Sequence, residues 1–489
     1  MFSLLYDRKY LFKCILSMAF LFGLMKVTGG SGFVIVVPIV LWALLAHKTE
    51  TLFFWLLMAV CAIIVNGYVI PKNAVFAWSQ RCLMFGLGLC MAVNVMAYPK
   101  HMVMKPYLGI MLYIGFMFFS SAQGWCPIIS FLKLVLFAVI YLSYFGVANQ
   151  VGINPTVSSK RVRSVMLAVS LFFVLGSIAL IPFPGLSQLK HEDFVDSPFT
   201  VSLFMGMTNH SQCLGPVVSS ISIVVFADLL FSIKKWDPLY LLILLCCPYL
   251  VYKTTSRTGI GAYVLGMMFV VYLFMRARGV GSRWKSRAMT AIMLVVLGLA
   301  FAAACLPGVQ KSIRKVLLKS SDSTTVTTEA VLNTRQALID KSLYYFRKKP
   351  VLGNGFQVSE KMSGLKIKGI TSVLSAPVEK GVWVSAVLEE GGIVGWVLFT
   401  GFLFVCITIS IKRRAYTGAS CLFLCTLVNL GEFTFFSMSY TGGFVWAMVF
   451  VGLALDVRKM KDENDALMRE MMLHEMQMRE MAGDLPYGR

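Results

Sequence analysis

Long apolar runs separated by short polar turns occupy nearly the whole chain. They lie near residues 11–28, 32–46, 51–69, 80–97, 106–122, 127–147, 164–182, 210–232, 238–252, 258–275, 288–306, 384–410, 416–433 and 438–455. Most hold about 17–23 residues, enough for a helix to cross a hydrocarbon layer ~30 Å thick. The second and ninth runs are shorter and fit tilted or re-entrant segments. Lipid leaves a spanning backbone only two solutions, the helix and the closed barrel, and a barrel would need short alternating strands instead. The pattern therefore predicts an all-α polytopic membrane protein with about 12–14 transmembrane helices. It divides the chain into an N-terminal transmembrane bundle over 1–306, one large polar loop over 307–383, C-terminal transmembrane helices over 384–455 and a helical tail over 456–489.

Composition sharpens this. The chain is 58% apolar and 14% charged, whereas soluble domains carry roughly a quarter charged residues. A net charge of +22 would suggest nucleic acid in a soluble protein. Here the cations fall on alternate loops: Lys160, Arg161 and Arg163; Lys234 and Lys235; Arg276 through Arg287; Lys412 to Arg414; Arg458 to Lys461. Basic loops face the cytoplasm and its anionic lipid, so the partner they imply is the bilayer and no nucleic acid is expected. Both termini are then cytoplasmic, and 183–209, 253–257, 307–383 and 434–437 face the other side. The twelve cysteines sit mostly in apolar runs without metal-like spacing, and structural disulfides are not expected. Asp7, Arg8, Lys9 and Lys13 precede a first run with no convincing cleavage site, so no cleavable signal peptide is expected. There is no internal repeat and no matching of two halves of the kind many transporters show. In the tail, Leu467, Met471, His474, Met478 and Met481 fall at alternating four- and three-residue spacing. That is a face for a coiled coil or a groove, or a solvated surface helix.

The large loop concentrates the candidate chemistry. From Lys311 to Lys380 it holds 13 Lys/Arg against 5 Asp/Glu, and loops of such length are usually functional or disordered. Leu332, Leu338, Ile339, Leu343 and Phe346 predict an amphipathic helix over 331–347, ended by Pro350, with Arg335 near its start. Gly353 and Gly355 in PVLGNGF allow a tight turn. Glu379, beside Lys380 and just before the next span, suits either a general base on a sugar hydroxyl or an ion pair holding the loop down. Glu389 and Glu390 fall at membrane depth, where an ionisable group is a functional candidate, with capping or packing at Gly391 and Gly392 the alternative. Arg257 heads the tenth run on the side that cations avoid. It can offer a guanidinium fork to phosphate, with Thr254, Thr255, Ser256 and Thr258 as hydroxyl donors, or simply snorkel to the interface. His210 opens the eighth run and is either functional or satisfied locally by Asn209 or Ser211. No zincin, P-loop, dinucleotide or nucleophile-elbow motif occurs, so any catalysis is expected to need neither metal nor cofactor.

In order, GMTNHSQCLG, TTSRTGIGAYVLGMM, NTRQALIDKSLYYFRKKPVLGNGF and EKGVWVSAVLEEGGIVG resemble the O-antigen ligase and polymerase superfamily of bacterial glycan enzymes, WaaL-type ligases and Wzy-type polymerases included. The likeness runs from about His210 to Gly395. It implies a GT-C-like, metal-independent glycosyltransferase of the bacterial inner membrane, with the large loop periplasmic. The donor would be an oligosaccharide on undecaprenyl pyrophosphate and the acceptor a sugar hydroxyl. Arg257 and Arg335 would bind the pyrophosphate, with Ser256, His210 and Lys380 as further substrate contacts. The chain departs from the ligases at one point. Their His-Asn pair would fall near Gly381 and Val382, and this chain has Glu379-Lys380-Gly381 instead, closer to the polymerase and exopolysaccharide branch. Glu379 would then take the base role. A chain-length regulator, or self-association through the tail, are the implied protein partners. Ligation to a lipid or protein acceptor, a lipid-linked oligosaccharide flippase using Asp228 and Glu432, and an assembly scaffold acting through the tail are the competing expectations.

Overall fold

The computed structural model describes residues 6–83, 101–153, 158–188, 204–232, 237–254, 256–278, 328–362, 380–438 and 440–481. In chain order its main helices are α1 (Arg8–Val27), α2 (Val36–Leu45), α3 (Thr49–Ile64), α4 (Ala74–Cys82), α5 (Ile110–Ala122), α6 (Pro127–Ile153) and α7 (Ser159–Ala179). They continue as α8 (Ser211–Phe231), α9 (Pro238–Lys253), α10 (Arg257–Arg278), α11 (Thr328–Lys348), α12 (Trp383–Lys412), α13 (Tyr416–Val428) and α14 (Thr441–Met481). Among the described residues no strand forms beyond isolated bridges. Among the described residues seven helices are long and apolar enough to cross a membrane: α1, α6, α7, α8, α10, α12 and α14. The chain is thus an all-α protein with several candidate membrane spans. The expected spans at 32–46, 51–69, 238–252 and 416–433 are shorter apolar helices. Most of 80–97 and all of 288–306 lie outside the described residues.

Local chemistry sets the helix starts. Asp7, Asn73 and Asp237 each accept a backbone N–H of the turn that follows, the capping that orphan donors at a helix N-terminus require. Pro238 opens α9, where its missing N–H costs nothing. The helices then pack around α8, which is buried over nearly its whole length. The last expected span and the helical tail turn out to be one continuous helix, α14, of 41 residues. Past Gly452 neither glycine nor proline interrupts it, and Arg458–Asp462 and Lys459–Glu463 pair one turn apart at 3.1 and 3.8 Å, which supports the exposed part. Leu467, Met471, His474 and Met478 are all exposed there.

The basic positions gather at one end. Arg163 forms a two-pronged ion pair with Asp228 at 2.8 and 3.1 Å, and Tyr240 donates to the same carboxylate at 2.8 Å. Arg161 reaches Asp7 and Glu50. At the opposite end the loop after α11 drops into the bundle. Phe356 is fully buried, with its ring 4.9 Å from Phe436 and 5.7 Å from Phe137. Phe356→Ala should cost about 3–5 kcal/mol, the usual range for emptying a buried aromatic site. Thermal melting of the detergent-solubilised protein measures this, and a wild-type melting temperature would mean that the ring does not anchor the loop.

Candidate functional site

The site is built on a break in α12. Gly392 has φ 61° and ψ −163°, a region essentially closed to residues with a side chain. A break inside an apolar helix strands backbone donors and acceptors, and these must find partners in protein rather than lipid. The loop 350–355 supplies them. The Ile393 N–H donates to Pro350 O at 2.8 Å, while Asn354 and Gly355 donate to Glu389 O and Glu390 O at 2.9 and 3.0 Å. Ser120 on α5 adds a hydroxyl to Glu390 O at 3.2 Å. The Asn354 amide spans from Glu389 O to Tyr345 O, both at 3.2 Å, so the end of α11 is tied to the same point. The glycines of PVLGNGF are therefore contact residues: a methyl on Gly353 would collide with the Glu390 carbonyl.

The break turns two carboxylates inward. Lys380 Nζ lies 3.0 Å from Glu389 Oε1 and 3.1 Å from Glu390 Oε1, with all three side chains at most 5% exposed. The Gln357 amide donates to Glu390 Oε1 at 3.4 Å. Lys133 on α6 donates to Gln357 O at 3.1 Å and lies within electrostatic reach of Glu390. Among the described residues two lysines thus stand with two glutamates, and their formal charges cancel. Burial pulls the Lys380 ammonium down, and Glu389 and Glu390 more than offset that, so it sits above the usual lysine range and stays charged. The ammonium is paired with both carboxylates.

Arg257 belongs to the same end of the bundle. It is half-buried at the first position of α10. Thr258 beside it lies against Gly431, two residues from Asn429, whose carbonyl accepts the Trp383 N–H at 3.0 Å. Asn429 Oδ1 in turn receives the N–H groups of Thr434 and Phe435 at 2.6 and 2.7 Å. Segment 429–435 thereby bridges the N-termini of α10 and α12, and α11 packs along α12. A single arginine head beside a helix N-terminus is an anion-binding arrangement.

Two expected contacts have local duties. His210 caps α8: its Nδ1 accepts the Gln212 N–H at 3.1 Å. Ser256 is buried, and its hydroxyl accepts the Gly259 N–H at 3.1 Å. Thr254 Oγ1 accepts the Ser256 N–H at 3.2 Å, while Thr255 and Glu379 lie outside the described residues. The backbone of Arg335 is on α11, and its side chain is outside what is described. Asp228 and Glu432 do not meet at mid-bundle. Asp228 is closed into the pair with Arg163 at the basic end, and Glu432 lies near Cys213 and Tyr440 at the other. Lys133, Gln357, Ser120 and Asn429 are the residues that sequence reading missed. Lys133 had a signal, a lone cation inside an apolar run; the other three had none.

The sequence matches no protein-family model and no curated protein.

Proposed function

We propose that this chain is a membrane glycosyltransferase of the O-antigen ligase and polymerase kind, acting on glycan linked to undecaprenyl pyrophosphate. It would work at the end opposite the basic loops, the periplasmic face of a bacterial inner membrane, for O-antigen, capsule or exopolysaccharide. The observation that carries the reading is the bridge through 429–435. It brings the Arg257 head of α10 to the same mouth as α11, which bears Arg335, and the charged cluster beneath the broken α12. In the reaction the acceptor hydroxyl oxygen attacks the anomeric carbon of the donor glycan, and the bond from that carbon to the pyrophosphate oxygen breaks. Arg257 and Arg335 take up the negative charge on the leaving pyrophosphate, and Glu379 accepts the hydroxyl proton. Lys380, Glu389 and Glu390 act as positioning residues: they set the geometry of the segment that follows Glu379. His210 and Ser256 order the two helix heads around the same mouth. Polymerisation is favoured over ligation because the chain lacks the His-Asn pair of the ligases.

The test is complementation of a strain deleted for this protein, at matched membrane levels, with surface glycan resolved on a gel. Arg257→Ala and Arg335→Ala should each cut polymer about 100-fold, the usual loss when a charge-stabilising donor is removed, and single repeat units should accumulate. Glu379→Gln should do likewise if that carboxylate takes the proton. Normal ladders from all three variants would sink the proposal. A flippase reading would gain from that outcome, although Asp228 and Glu432, its expected path residues, sit at opposite ends of the bundle.

A further inference from the structure

A cleft of about 680 Å3 opens at the basic end, between the ends of α8 and α10, the turn joining α12 to α13, and α14. Its charge is one-sided. Among the described residues Arg413, Arg414 and Lys459 line it with one carboxylate, Glu463, which pairs with Lys459 at 3.8 Å; Lys459 also donates to Phe231 O at 2.7 Å. Among the described residues no carboxylate pairs with Arg413 or Arg414. His101 adds a neutral donor: its Nδ1 accepts the Val103 N–H at 3.3 Å, and burial, then the charge of Arg413, hold it below the usual histidine range. Leu230, Phe231 and Phe274 give it an apolar wall, and Tyr416 and Asn464 line it as well.

Arg414 carries a second sign. Its φ is 62°, the left-handed position just past the end of α12, where glycine is the common choice because other residues are strained there. Helix C-termini attract cations, which is reason enough for Arg413. It is no reason to hold an arginine at the strained residue when the neighbouring one already serves the dipole. Strain kept at a cleft points to a ligand.

We propose that this cleft binds the headgroup of an anionic phospholipid, with Arg413, Arg414 and Lys459 on its phosphate and Leu230, Phe231 and Phe274 against its glycerol and first acyl methylenes. Arg413 and Arg414, which no carboxylate pairs with among the described residues, supply the charge complementarity, and the apolar wall distinguishes a lipid from a free phosphate. Basic recesses between helices at a cytoplasmic face suit such headgroups. The inference does not depend on the glycosyltransferase reading.

The full chain is purified in neutral detergent and titrated with phosphatidylglycerol, phosphatidylcholine or inorganic phosphate, with bound lipid counted by native mass spectrometry and stability read by melting. Wild type should bind phosphatidylglycerol in preference to phosphatidylcholine and gain stability from it. Arg414→Gly should weaken that binding about fivefold, and Arg413→Ala with Arg414→Gly about 25-fold, following the worth of one cation near a lipid surface. Glycine takes the left-handed position without strain, so lipid-free Arg414→Gly should melt at or above the wild-type temperature, which separates lost binding from lost folding. Arg161→Ala, a cation at the same end but outside the cleft, should bind as wild type does. Wild-type affinity in the double variant, or equal binding of the two lipids, overturns the proposal. So does stabilisation by inorganic phosphate with no preference for phosphatidylglycerol.

Discussion

Lys380→Met should destabilise the protein by about 3–5 kcal/mol, the cost of removing one partner from a buried charge cluster. Lys380 Nζ touches Glu389 Oε1 and Glu390 Oε1 at 3.0 and 3.1 Å, in surroundings that leave these side chains at most 5% exposed. Without it Glu390 keeps the Gln357 amide and the more distant charge of Lys133, which already donates to Gln357 O. Two carboxylates would then lose the ammonium that both touch. The loss should appear as a lower melting temperature and less monodisperse protein after extraction. Adding Glu389→Gln and Glu390→Gln to the same chain should recover much of it, because neutral amides need no counter-ion. Two outcomes would refute the cluster as described: a Lys380→Met protein that melts like wild type, or a triple variant no better than the single. Glycan output adds a second readout. If the cluster only positions the mouth, the triple variant should regain polymer in step with its stability.

Gly392→Ala is the second large effect. The backbone there has φ 61° and ψ −163°, and an added methyl would run into the carbonyl of Val351. Regularising the helix would remove the break and with it the three hydrogen bonds from Ile393, Asn354 and Gly355. Backbone strain of about 1–3 kcal/mol and roughly 1 kcal/mol for each of the three lost hydrogen bonds give about 4–6 kcal/mol. The loop should come loose, so trypsin should cut after Arg347 or Lys348 faster than in wild type. Gly391→Ala is the control. Gly391 is helical, and its methyl would meet the Met117 sulfur at 2.9 Å, the flexible end of a side chain that can move. If Gly392→Ala resists trypsin and melts as wild type does, α12 tolerates a straight path and the loop is held by other means.

Parts of this mouth were legible in the chain. The run of LEEGGIVG marked two ionisable residues beside two glycines at membrane depth, and the structure shows close packing at the glycines and both carboxylates paired with Lys380. The amphipathic pattern over 331–347 corresponds to α11, Thr328–Lys348. PVLGNGF read as a tight turn, but its partner did not, because the groups it satisfies belong to a break some forty residues later in the chain. Lys380 read as a substrate contact because its neighbour in sequence is Glu379. Its neighbours in space are Glu389, Glu390 and, through Gln357, Lys133 from α6. His210 and Ser256 stood out as rare or polar residues at helix heads, and each caps its helix.

Sequence by itself determined that the chain is helical, that several helices suit a membrane, and where cations gather. Each of these is a local property: about twenty apolar residues are enough to make a span, and a charge in a loop needs no partner to be counted. Tertiary structure decided where α12 breaks and which loop completes it. It also decided that the Lys380 charge is spent inside the protein, and that α14 runs unbroken into the tail. Those outcomes turn on pairing between segments far apart in the chain. In an apolar interior every stranded carbonyl, N–H or charge must find a partner, and no single stretch of sequence states where that partner will come from.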